Sequence, residues 1–242
     1  MKTIVYGIRP VIEAIRSDKE IDRIFIQSNI KDNILRELGN EPRLREINIQ
    51  YVPIEKLNRL TRNLHQGIVA QISPIKYHRL ADIIEGNKEK GKDSFIIMLD
   101  RVKDVRNLGA IARTAECSGV DAIIIPQHGS AQINEDAIKT SAGALLRIPV
   151  CKEKNLKTSI NYAKQMGLKV FGASEKQGTL YHKAELNQPL MIIMGSEKSG
   201  VSQDILRLCD NNLSIPIKGE IESLNVSVAA GVLMYEVVRQ RD

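Results

Sequence analysis

Residues 95–242 are built around uninterrupted apolar runs: "FIIMLD" (95–100), "DAIIIP" (121–126), "LKVFGAS" (168–174), "LMIIMGS" (190–196) and "LSIPI" (213–217), separated by longer amphipathic stretches. A half-exposed strand alternates apolar and polar residues, whereas a strand buried on both faces is apolar at consecutive positions. Runs of this kind restrict the region to an α/β domain, a mostly parallel sheet with helices on each face. Ligands of such sheets collect beyond the carboxyl ends of the strands, so chemistry is expected in the loops after the runs.

Residues 1–75 read differently. "PVIEAIRS" (10–17), "DNILREL" (32–38) and "IEKLNRLTRN" (54–63) have helical spacing, while "IDRIFIQ" (21–27), "INIQYV" (47–52) and "GIVAQI" (67–72) have the look of strands. That pattern predicts a small α/β domain. Residues 86–94 are polar, Gly-containing and Lys-rich, the composition of a solvated connection, and 76–94 are read as a linker.

The formal charge of +6 and a pI near 9.2 lean toward a polyanionic partner, although solubility alone also accounts for such a charge. Residues 1–75 hold 12 Lys and Arg against 9 Asp and Glu, half of the excess, and no basic tail exists. A nucleic acid would therefore meet folded surfaces, which favours structured RNA. Cys117, Cys151 and Cys209 lie far apart without a C-x-x-C pair, arguing against a disulfide framework and a thiolate zinc site. His65, His78, His128 and His182 show no spacing suited to a metal or a triad, so no metal is expected. The charged N-terminus and the lack of about 18 consecutive apolar residues predict a soluble, cytoplasmic protein without a membrane partner.

Three loops stand out. "RVKDVRNLGAIARTAECSG" follows the first run and places Asn107 at a plausible helix N-cap with Arg113 about two turns on. "GSEKSGVSQDIL" sets Glu197 in a tight connection between Gly195 and Gly200. "SLNVSVAAGVLMYEVV" offers Ser223, Asn225 and Ser227 where a helix begins. Each has a plain structural reading. Ser and Asn at helix starts are commonly caps, a helical Arg is commonly a surface cation, and a helical Ser can bond a nearby carbonyl. Glu197 is harder to dismiss, because a carboxylate in a Gly-lined turn above a strand end has little packing reason to be there. No G-x-G-x-x-G, G-K-[ST] or G-x-S-x-G occurs, which disfavours an ordinary nucleotide-binding or hydrolytic site.

Together, "NLGAIARTAECSGVDAIII", "MIIMGSEKSGVSQDIL" and "LSIPIKGEIESLNVSVAAGVLMYE" closely resemble, in order and spacing, the three motifs of the SpoU/TrmH family of RNA ribose 2′-O-methyltransferases of the SPOUT superfamily. "YGIRPVIEAI" and "HQGIVAQI" resemble the N-terminal RNA-binding domain of the branch that includes the bacterial RlmB enzymes, which methylate a guanosine of large-subunit ribosomal RNA. The resemblance implies a deep trefoil knot, a homodimer, S-adenosyl-L-methionine as cofactor, and large-subunit ribosomal RNA or a pre-ribosomal particle as partner. It also implies roles for residues. Asn107, Arg113, Glu197, Ser223 and Asn225 take the catalytic positions. Backbone groups of Gly195, Ile215 and Leu224, with Ser196, Gly200 and Pro216 beside them, take the cofactor. Transfer RNA or another ribosomal RNA nucleotide as substrate, or a non-catalytic RNA-binding or ribosome-assembly protein of the same fold, are the alternatives. One departure exists: many members carry glycine directly after the motif-two glutamate, where this chain has Lys198. Either Lys198 takes a positive φ at some cost or the loop shifts.

Overall fold

The structure, a computed structural model, describes residues 4–17, 19–30, 36, 38–41, 44, 47–175 and 178–242. The chain divides into two compact units, Met1–Lys76 and Tyr77–Asp242.

The first unit carries a four-stranded sheet of order β1-β4-β2-β3, from β1 (Ile4–Tyr6), β2 (Ile21–Gln27), β3 (Asn48–Val52) and β4 (Ile68–Ile72). β4 runs antiparallel to β1 and β2, while β2 and β3 are parallel. α1 (Ile8–Arg16) covers one face, burying Val11, Ile12 and Ile15 against Ile24, Ile26, Ile68 and Ala70. α2 (Ile54–Leu60) covers the other, where Leu57 packs with Phe25, Val52 and Val69. Alternate residues of β2 thus serve opposite cores, which is why Ile24, Phe25 and Ile26 are apolar at consecutive positions. The helix expected over residues 32–38 falls mainly outside the described residues.

The second unit is an eight-stranded sheet of order β10-β12-β9-β11-β6-β7-β8-β5. Its central members are β6 (Phe95–Leu99), β7 (Ala122–Pro126), β9 (Lys169–Ala173) and β11 (Leu190–Met194), with β12 (Asn211–Ser214) beside β9. Four of the five expected runs form strands, whereas of "LSIPI" only Leu213 and Ser214 enter β12, which begins earlier at Asn211; every neighbouring pair is parallel. The five residues of β6 and the five of β11 are all buried. Three strands had no signal in the apolar runs: β5 (Tyr77–His78), β8 (Val150–Glu153) and β10 (Thr179–Leu180). They lie toward the sheet edges, where backbone pairing suffices. The stretch expected as a linker, 76–94, instead holds β5 and α3 (Leu80–Glu89), because Leu80 and Ile84 supply a buried face that joins the core of this unit.

α4 (Val105–Cys117), α5 (Glu135–Thr140), α6 (Leu156–Gln165), α7 (Gln203–Leu206) and α8 (Val226–Arg241) complete the unit. α4 and α5 approach closely at Gly109, where a Cβ would stand 2.6 Å from Cβ of Thr140. α8 returns onto α4, with Gly231 facing Thr114. Residues 215–225 connect the end of β12 to the start of α8, where Asn225 bonds Glu197 in the turn after β11 and Asn107 in the first turn of α4. Among the described residues, no helix is long and apolar enough to cross a membrane.

Candidate active site

The carboxyl ends of β6, β11 and β12 deliver the three loops singled out in the sequence to one place. The chain after β6 is anchored by Asp100, which is buried and accepts hydrogen bonds from the Ser202 backbone at 2.8 Å and from Arg101 Nε at 3.1 Å. Arg101 takes a left-handed φ of 60° and donates from Nη2 to the Gly200 carbonyl at 3.2 Å. These two residues tie the start of one loop to the end of the next. Sequence reasoning passed over both. The one local signal was an acid directly after a fully apolar strand, where burial demands partners.

α4 begins at Asp104 and not at Asn107. The Asp104 carboxylate accepts the backbone N–H of Arg106 at 2.7 Å and of Asn107 at 3.1 Å, two otherwise orphaned donors of the first turn. "DVRN" offers two capping side chains within one turn, and the earlier one takes the position. Asn107 is thereby left free to use its side chain elsewhere. Its Nδ2 donates to Glu197 Oε1 at 2.7 Å.

Glu197 lies in the turn after β11, whose shape is set by glycine. A Cβ on Gly195 would stand 1.9 Å from the Gly200 carbonyl carbon, so no other residue fits without moving the backbone. Ser196 and Gly200 exchange backbone hydrogen bonds of 3.1 and 2.8 Å across the turn, and the Ser196 and Ser199 hydroxyls lie 2.9 Å apart. The positive φ falls on Gly200, at 61°, and Lys198 is not among the described residues with positive φ. The departure at Lys198 is therefore accommodated by placing glycine two residues later, without strain on the lysine.

Asn225 caps α8, accepting from the Ser227 backbone at 2.9 Å and from its hydroxyl at 2.6 Å. Its Nδ2 reaches Glu197 Oε1 at 2.8 Å and Asn107 Oδ1 at 3.1 Å. Thus Asn107, Glu197 and Asn225 form one closed cluster, with a carboxylate held between the N-termini of two helices, where the helix dipoles favour negative charge. Ser223 is half-buried two residues earlier and makes none of these contacts.

Arg113 is exposed on α4 and makes no hydrogen bond or ion pair among the described residues. Six residues beyond Asn107, it points about 240° around the helix and so stands apart from the cluster.

The cofactor positions meet a second condition. Residues 215–224 form no backbone hydrogen bonds among the described residues, so their N–H and C=O groups are open to a ligand. Ile215 is half-buried, Pro216 exposed and Leu224 37% exposed, giving apolar surface beside those groups. Apolar walls with convergent backbone donors and acceptors fit the adenine, ribose and amino-acid parts of S-adenosyl-L-methionine. Gly195, Ser196 and Gly200 would bound that cradle on the β11 side, and Ile215, Pro216 and Leu224 on the β12 side.

Comparisons with known proteins bear on the family and the fold. Residues 94–235 match the SpoU rRNA Methylase family, and residues 4–78 match the family described as RNA 2′-O ribose methyltransferase substrate binding. A Staphylococcus epidermidis protein named for the TrmH family of tRNA/rRNA methyltransferases is 36% identical over 98% of this chain and 96% of its own length. A Bacillus subtilis protein named for the same family is 34% identical over the same shares. Among solved structures, the SpoU methyltransferase AviRb from Streptomyces viridochromogenes, in complex with AdoMet, superposes with a TM-score of 0.62 at 23% identity, covering 99% of this chain and 90% of that one. A TrmH/SpoU tRNA modifying enzyme from A. aeolicus gives 0.57 at 26% identity over 66% of this chain and 84% of its own. The chain belongs to the SpoU rRNA methylase family, whose members are S-adenosyl-L-methionine-dependent RNA methyltransferases.

Proposed function

We propose that the protein methylates the 2′-hydroxyl of a guanosine ribose in large-subunit ribosomal RNA, as a homodimer in which Arg113 of one protomer serves the site of the other. The observation that carries this reading is the closed Asn107–Glu197–Asn225 cluster beside the open backbone of residues 215–224. S-adenosyl-L-methionine, when bound, supplies an electrophilic sulfonium methyl. The chain's own residues do the rest.

A ribose 2′-hydroxyl is a weak nucleophile at neutral pH, so it must lose its proton as its oxygen bonds to the methyl carbon and the sulfur–carbon bond breaks. An arginine is always charged and cannot accept that proton. Arg113 instead binds a phosphate beside the target ribose and stabilises the alkoxide as it forms, with that phosphate oxygen taking the proton. Asn107, Glu197 and Asn225 hold the three loops in register, and Ser223 lies at the hydroxyl's approach. Positioning of this kind supplies much of the acceleration.

The homodimer rests on α8. Val228, Val232 and Tyr235 share one face of that helix, with Val228 52% and Tyr235 53% exposed, although the opposite face already packs in the core. A helix apolar on both sides calls for a second partner. An exposed Arg113 on the neighbouring α4 is then free to reach across such an interface.

The test is to incubate the protein with methyl-labelled S-adenosyl-L-methionine and RNA from cells lacking its gene, then map 2′-O-methylation by nucleotide. One labelled guanosine in large-subunit RNA, lost with Arg113→Ala, establishes reaction and target. Label in transfer RNA keeps the reaction and changes the target, and no label on any RNA or particle leaves a binding protein.

A further inference from the structure

In the N-terminal unit, the loop between α2 and β4 is held in an arrangement that its local sequence does not favour. Gln66 takes a φ of 52° and Gly67 one of 81°, and a non-glycine residue in that region costs energy that the surroundings must offset. The offset comes from His65, buried beneath the loop. Its Nδ1 accepts the Gly67 backbone N–H at 3.0 Å, which leaves Nε2 to donate to Asn58 Oδ1 at 2.9 Å. From outside, Gln66 Oε1 accepts the Ile8 backbone N–H at 3.1 Å, and Asn63 donates to the Tyr6 hydroxyl at 2.8 Å. Residues 6–9 and 62–66 therefore form one rigid ridge.

This scaffold displays Leu64, which at 83% exposure is the most exposed large apolar side chain among the described residues. Arg62, two residues before it, and Arg9, next to the Ile8 whose backbone Gln66 binds, are both exposed, and neither has a hydrogen bond or ion pair among the described residues. The charge around it is one-sided. Residues 7–12 and 56–72 contain Arg9, Lys56, Arg59 and Arg62 and no Asp or Glu; Glu13 and Glu55 directly adjoin these two segments.

We propose that this ridge holds an unpaired nucleotide of the RNA substrate, with Leu64 packing on the face of the base and Arg62 and Arg9 on the flanking phosphates. The reading rests on RNA being the substrate and narrows the substrate-binding match of residues 4–78 to one ridge and one kind of nucleotide. An apolar side chain held rigidly in water, between cations that lack partners, is complementary to the apolar face and charged backbone of a splayed-out nucleotide. A duplex, with its bases stacked inside, offers no such face to Leu64.

The chain contains no tryptophan, so Leu64→Trp introduces a single indole that reports on this position alone. RNA binding is read by titration in the absence of S-adenosyl-L-methionine, independently of methyl transfer. Quenching of the indole on RNA binding is expected. Leu64→Ala is expected to weaken binding about tenfold with an unchanged thermal midpoint. Arg62→Ala should flatten the dependence of log K on log salt by about 0.7. Unquenched fluorescence together with wild-type affinity for Leu64→Ala overturns the proposal and leaves the methyltransferase reading intact. So does wild-type binding of free RNA with loss of activity on ribosomal particles only, which assigns the ridge to a protein partner. A wild-type protein that neither binds nor methylates RNA overturns both readings.

Discussion

Asn225 Nδ2 lies 3.1 Å from Asn107 Oδ1, joining the first turn of α8 to the first turn of α4 across 118 residues of chain. Both side chains also donate to the same oxygen of Glu197. The three act as one unit, so their substitutions should be coupled. Asn225→Ala and Glu197→Ala are each expected to lower kcat/KM, and the double variant to lose less than the sum of the two. A double-mutant cycle checks this; a coupling energy below about 0.5 kcal/mol would show independent roles.

Asp104→Ala removes the cap of α4 and is expected to cost about 1 kcal/mol. For a chain of this size that is a fall of about 2–4 °C in the thermal midpoint, read by calorimetry. Asn107→Ala leaves the Asp104 bonds in place and should reduce activity with a smaller effect on the midpoint.

Gly195→Ala forces a carbon to within 1.9 Å of the Gly200 backbone, so the turn must open. Loss of S-adenosyl-L-methionine binding by calorimetric titration is the expected result. Gly200→Ala should cost about 1–2 kcal/mol, because its φ of 61° is left-handed. Lys198→Gly should leave cofactor affinity near that of the parent.

Arg113→Ala should lower kcat about a hundred- to thousandfold while cofactor affinity holds. Action across a dimer has its own signature. Mixing Arg113→Ala subunits with Gly195→Ala subunits, each inactive alone, should restore activity in the heterodimer that pairs an intact cradle with an intact Arg113. Failure of subunits that exchange to complement one another would place Arg113 in its own protomer's site.

Burial pushes the Cys151 and Cys209 thiols up to about 12, whereas Cys117 is exposed at the end of α4. The thiolate is the reactive form, so at pH 8 an alkylating reagent should find one fast thiol in the native protein and three after unfolding.

What the sequence determined was whatever depends on neighbours along the chain. Continuous burial writes itself as continuous apolar residues, so β6, β7, β9 and β11 and the parallel sheet they build were legible, and the motif order pointed to the family; β12, with one buried residue, was legible only at Leu213 and Ser214. β8 was not, because "VCKE" pairs by backbone and needs no apolar run. α3 was hidden for a related reason: its buried residues, Leu80 and Ile84, are few, and its second half has the polar composition of a linker. The cap of α4, read at Asn107, falls at Asp104, since either side chain can accept the orphaned N–H groups of a first turn. Only the tertiary structure decided that Asn107, Glu197 and Asn225 meet, that Asp100 and Arg101 brace the turn after β11, and that Gly200 relieves Lys198. Those contacts span 28 to 118 residues. The order in which strands pair sets them, and no local propensity encodes that order.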